Sequence, residues 1–145
     1  MSKIKTFRGL LNDLQQDRIY LAGGEVDKGY KITKFELIAA APASQDSVNI
    51  VKITTTKQST PTAAIDFNDD SLLAAGVMQS TSSYAYGEYT AVVFDQVVVN
   101  QDIFIANKDY ATGEGVNYYL ELEEFKMKDP EIAVVNYRAA LLHGE

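Results

Sequence analysis

The alternation of apolar and polar positions sets the first expectation. Residues 91–125 read AVVFDQVVVNQDIFIANKDYATGEGVNYYLELEEF, β-branched and aromatic runs broken by Asn, Asp and Gly. Such runs suit a pleated, half-buried surface, and the residues between them are turn formers. Residues 4–11 and 18–22 predict two short strands around the polar turn Asn12-Asp13-Leu14-Gln15-Gln16, although Leu10, Leu11 and Leu14 also suit one helical turn. Residues 29–41 place Tyr30 and Ile32 on one face and Phe35, Leu37 and Ala39 on the other. That change of phase near Thr33-Lys34 predicts a bulge or a strand changing sheets.

Further strands are predicted over 48–56, 77–82, 88–94, 96–99, 102–106 and 116–127. In the last of these, Tyr118, Leu120 and Leu122 share one face while Tyr119, Glu121 and Glu123 share the other. Asn68, Asp69 or Asp70 is placed to cap one or two helical turns through Leu72-Leu73-Ala74-Ala75, ended by Gly76. Thr112-Gly113-Glu114-Gly115 is the clearest hairpin signal. After Met127, Asp129-Pro130-Glu131 suits a helix start with Ile132, Val135, Leu141 and Leu142 as an apolar stripe. The stretch from Ile132 to Tyr137 serves equally well as an extended arm.

Many short strands at about 8–12-residue spacing predict an all-β domain, a β-sandwich or jelly-roll-like barrel. It has one short internal helix and a C-terminal helix or arm over 130–145. At 145 residues, 46% of them apolar, the chain suits a single domain over 1–145. In 91–94, 97–99 and 103–106 consecutive residues are apolar, so both faces of those strands need cover, either from a neighbouring subunit or from the chain's own tail or helix.

Charge and composition narrow the chemistry. Twenty Asp and Glu against thirteen Lys and Arg give a net charge of −7, which disfavours nucleic acid and anionic membranes as partners. The absence of Cys excludes disulfides, thiolate nucleophiles and thiolate metal sites. Arg8 interrupts the apolar stretch near the N-terminus, so no secretory signal is expected there. No apolar run approaches the roughly 20 residues of a membrane span. These features predict a chain that stays in the cytoplasm where it is made.

The candidate constellations thin out on inspection. Asp66-x-Asn68-x-Asp70 opens like a calcium loop, but Ser71 replaces the required Gly and Val77 stands where the bidentate Glu belongs. Glu121 and Glu123 alternate with leucines as the wet face of a strand, and with Glu124 they form no glycosidase pair. His143 is the only histidine and lies near the chain end, unsuited to a triad or zinc site. Gly113-x-Gly115 lacks the third glycine and the helix of a phosphate cradle. Tyr84, Tyr86 and Tyr89 suit either sugar stacking or packing at a sheet or subunit contact. No catalytic, metal or cofactor residue is therefore expected.

Across nearly its full length the chain resembles a family of small virion proteins of tailed phages from marine bacteria. The resemblance runs through Lys5-Thr6-Phe7-Arg8-Gly9, Gly29-Tyr30-Lys31-Ile32 with Lys34-Phe35, Val51-Lys52-Ile53, and Ile65-Asp66-Phe67 with Leu72-Leu73-Ala74-Ala75. It continues through Phe94-Asp95 with Val99-Asn100-Gln101-Asp102-Ile103, and Asn117-Tyr118-Tyr119-Leu120-Glu121-Leu122-Glu123. After Met127 the chain departs from the family pattern, so the resemblance sets no expectation for the tail. It implies a non-enzymatic structural protein of a virion assembled in the host cytoplasm. A capsid decoration protein bridging major capsid subunits as a homo-oligomer is the leading expectation. A tail or fibre component contacting tail proteins is the alternative, and a carbohydrate-binding module built on the Tyr84 to Tyr89 loop is the other.

Overall fold

The computed structural model describes residues 3–21, 27–42, 44–81, 88–94, 97–111, 113–128 and 132. Its eight strands are β1 (Lys3–Leu11), β2 (Gln16–Ile19), β3 (Lys28–Ala39), β4 (Ser47–Thr54), β5 (Leu72–Ser80), β6 (Glu88–Val93), β7 (Ile103–Asp109) and β8 (Val116–Lys126). They form two antiparallel sheets, β1-β8-β3 and β2-β7-β4-β5-β6, which pack face to face as a β-sandwich. The pairing is nested: β1 bonds β8, β2 bonds β7, β4 bonds β5, and β3 lies against β6 at the seam between sheets. A long hairpin wound into two sheets has this nesting, which is the jelly-roll pattern.

Period-two patterning explains which face each strand buries. Along β8, Val116, Tyr118, Leu120 and Leu122 point inward, and Asn117, Tyr119, Glu121 and Glu123 point out, as the alternation predicts. In β3 a register shift between Ile32 and Lys34 leaves Thr33 unpaired. The predicted bulge is thus present, and it corrects the facing: the extra residue restores phase, so Tyr30 and Ile32 point into the same core as Phe35, Leu37 and Ala39.

Three further expectations change. Leu72-Leu73-Ala74-Ala75 opens β5 and is not helical. A four-residue apolar run reads alike as a buried helix or a strand covered on both faces. Here β5 lies between β4 and β6, and a second register shift puts Leu73 in the core while Leu72 stays paired to Thr54. The expected hairpin at 112–115 instead crosses from β7 in one sheet to β8 in the other, with Gly113 at φ +85° making the turn. Among the described residues of the expected strand 96–99, Val99 alone pairs with another strand, through two 2.8 Å main-chain bonds with Tyr30. The C-terminal helix or arm lies outside the described residues, apart from an Ile132 amide bonded to the Lys128 carbonyl.

Part of the cover predicted for two-sided strands comes from the chain itself. The long connection 55–71 lies on the outer side of the five-stranded sheet, where Lys52 Nζ donates to Thr62 Oγ1 (3.0 Å) and the Ala64 carbonyl (2.8 Å). Gln58 ties the same connection to β2, donating its amide to Gln16 Oε1 and accepting from Gln16 Nε2. Burial beneath it lowers the Lys52 pKa, against the pull of the Asp69 charge.

Candidate interaction surface

One end of the sandwich is closed by buried polar groups. Asn49 Nδ2 donates to Asn107 Oδ1 and to the Glu114 carbonyl, and Asn107 Nδ2 donates to the Leu11 carbonyl. Asp109 accepts from the amides of Val48, Ala111 and Glu114, while its own amide donates to Asp13. These bonds satisfy main-chain groups where β1 and β7 leave one sheet for the other, so they fix the crossings.

The opposite end is charged. Glu124 continues the inward phase of Leu120 and Leu122 and is buried, with Lys3, Lys5 and Lys28 at 3.5, 3.7 and 3.4 Å. The Tyr30 hydroxyl donates to Glu124 Oε1 at 2.9 Å, and Lys5 Nζ sits over the Tyr30 ring. Removal from water is the largest influence and pushes the Glu124 pKa up. The Tyr30 hydrogen bond, the Lys5 charge, and the Lys28 bond and charge together pull harder, holding the carboxyl below its ordinary range. Of Glu121, Glu123 and Glu124, Glu124 shares the parity of Leu120 and Leu122, and that parity is the signal in the sequence for its inward position.

A second polar group sits on the outer face of β2 and β7. Arg18 Nε and Nη2 both reach Asp102 Oδ2 at 2.8 Å, and Asp102 Oδ1 accepts the Leu21 amide. The guanidinium lies 5.1 Å from the Tyr20 ring centroid and 5.9 Å from that of Phe104. Tyr20 is 73% exposed, so this stack presents a free aromatic face beside a fixed planar ion pair. Nothing in the sequence pattern singles it out, because Asp102 lies far from Arg18 along the chain.

The predicted residues are dispersed. Tyr89 stands exposed on β6, whereas Tyr84 and Tyr86 lie outside the described residues. Val135, Tyr137, Leu141, Leu142 and His143 also lie outside them. Asp66 and Asp69 make turns, accepting from the amides of Asn68 and Ser71, and cap no helix. Among the described residues no group of His, Cys, Asp and Glu is arranged to hold a metal ion. No described helix is long and apolar enough to cross a membrane.

What the surface offers is contact. Ile4, Leu10, Leu14, Tyr20, Ile38, Phe67 and Tyr110 are each at least 46% exposed on a scaffold whose strands are locked at both ends. No protein-family model matches the chain, and no curated protein matches it.

Proposed function

We propose that this chain is a non-enzymatic structural protein of a phage virion, a decoration protein that docks on major capsid subunits as an oligomer. The observation that carries the reading is the set of large apolar side chains left exposed on a cross-tied sandwich, since such side chains are the usual anchors of protein contacts. The family resemblance of the sequence supports the virion setting. The jelly-roll winding is shared by many capsid and lectin domains, an analogy at the level of fold alone. Action through buried interface needs no cofactor, and its partners are the capsid or tail proteins and further copies of the chain.

Peptide mass spectrometry of virions purified from the producing cells tests this. The chain is expected in stoichiometric amounts and in constant ratio to the major capsid protein. Its recovery only in the soluble lysate overturns the reading.

A second reading, a saccharide-binding module, is favoured by the exposed Tyr20 ring beside the Arg18–Asp102 pair. An aromatic face flanked by planar polar groups can stack a pyranose while bonding its hydroxyls. NMR titration with oligosaccharides should then shift resonances around Tyr20 and lose that effect in Tyr20→Ala. Unmoved wild-type resonances would dismiss this reading.

A further inference from the structure

The positive charge of this acidic chain is concentrated. Lys3, Lys5 and Lys28 surround Glu124, and the register sets Lys126 beside Lys28, where it pairs with Asp27 at 3.7 Å. Among the described residues four ammonium groups thus meet two carboxylates, at the end of the three-stranded sheet where β1 and β3 begin and β8 finishes. Lys3 and Lys126 side chains are 68% and 81% exposed, so the surplus charge faces outward.

The five-stranded sheet presents the opposite charge at the same end. The turn entering β5 carries Asp66, Asp69 and Asp70, all exposed. Its shape is set by side-chain bonds: Asp66 Oδ1 accepts the Asn68 amide at 2.9 Å, and Asp69 Oδ1 accepts the Ser71 amide and hydroxyl at 2.9 and 2.8 Å. Phe67 projects between these carboxylates, 58% exposed, with its ring edge-on to Phe94 at 5.2 Å. The turn feeds Leu72, which pairs with Thr54, and Thr54 in turn pairs with Phe104 near the start of β7. The pairing of Tyr30 with Val99, four residues before β7, ties this end to the Glu124 row.

A basic patch and an acidic turn on one end are complementary to themselves under a twofold axis, because each patch on one copy can meet the other patch on its mate. We propose that two copies of the chain pair end to end, with Lys3 and Lys126 of each facing Asp66 and Asp70 of the other and Phe67 at the apolar centre. The net charge of −7 repels two copies at a distance, and this orientation brings a concentration of positive charge to the seam. At physiological salt the screening length of about 8 Å weakens the more distant repulsion and leaves the contacts. The inference deepens the assembly reading and rests on it, naming the second copy as a partner.

Sedimentation velocity on the isolated full chain tests the pairing through charge reversal. Lys3→Glu leaves Lys5 and Lys28 on Glu124, and Asp70→Lys leaves the turn-forming Asp66 and Asp69 in place. Each variant alone should pair at least about tenfold more weakly than the wild type, as turning an attractive pair into a repulsive one does. Mixed in equal amounts, they should regain wild-type affinity, because at one seam the reversed patch meets the reversed turn and at the other the unchanged patch meets the unchanged turn. Thermal melts verify the fold, and Lys126→Glu replaces Lys3→Glu if that variant does not melt cooperatively. A monomeric wild type, unweakened single variants or an unrescued mixture each overturns the pairing. None of these outcomes bears on whether the chain is found in virions, so the two proposals fail separately.

Discussion

Leu120 is fully buried between Phe7 and Phe35 in register, at the middle of the inner face of β8. Replacing it with Ala should cost about 2–5 kcal/mol in a urea titration, the loss expected when a close-packed leucine leaves a cavity. Tyr118, two residues earlier, reports on the other side of the sandwich through its hydroxyl, which donates to Asp17. Burial first, then the Asp17 charge and hydrogen bond, push its pKa up to about 12. A raised tyrosine pKa keeps the folded state neutral while the unfolded chain ionises near 10, so stability should fall as pH rises from about 10 to about 12. Tyr118→Phe should flatten that alkaline loss in melts across this window. Glu124 has the opposite sign. Its lowered pKa means that its contribution is complete above the unfolded value of about 4.3 and is lost as pH falls through the folded value. Glu124→Gln should cost about 1–3 kcal/mol at neutral pH and show a shallower acid transition than the wild type.

At the scale of elements, period-two patterning made β1, β3, β4 and β8 legible, because each buries one face against the other sheet, whereas β7 showed as a short two-sided apolar run. The change of phase near Thr33 was legible for the same reason, as a bulge or a strand changing sheets, and the register shift between Ile32 and Lys34 makes it a bulge. The start of β5 was not, since Leu72 to Ala75 must be covered on both faces and so lose the alternation that marks a strand. Turn residues named the crossing at 113–115 without saying which sheets it joins, because glycine chemistry is shared by hairpins and crossovers. Of the surface groups, Glu124 was readable by parity, while the Arg18–Asp102 stack depends on pairing between β2 and β7 and left no local trace. β5 also offers a packing test. A Cβ on Gly76 would stand 2.8 Å from Leu37 Cδ1 and 3.2 Å from Phe35 Cε2, so the facing sheet is spaced for glycine. Gly76→Ala should destabilise by about 1–3 kcal/mol through overpacking, and a stabilised variant in thermal melts would mean the sheets are farther apart.

For the whole molecule, the chain's own 55–71 connection lies over part of the outer face of the five-stranded sheet, which weakens the argument that two-sided strands alone require a neighbour. The case for assembly moves to side chains that stay exposed, such as Ile38, Phe67 and Tyr20, and to the charged end around Glu124. The jelly-roll winding supplies rigidity, with a polar lock at one end and an ion cluster at the other, and leaves recognition to what the surface presents. Cryo-electron microscopy of intact virions is the most direct test of the proposed decoration role. A decoration protein should give density fitted by the two-sheet sandwich at regular positions on the capsid shell, bridging neighbouring capsid subunits through exposed apolar side chains. Density for the sandwich confined to the tail or its fibres, or a shell with no such density in virions that contain the chain, would contradict it.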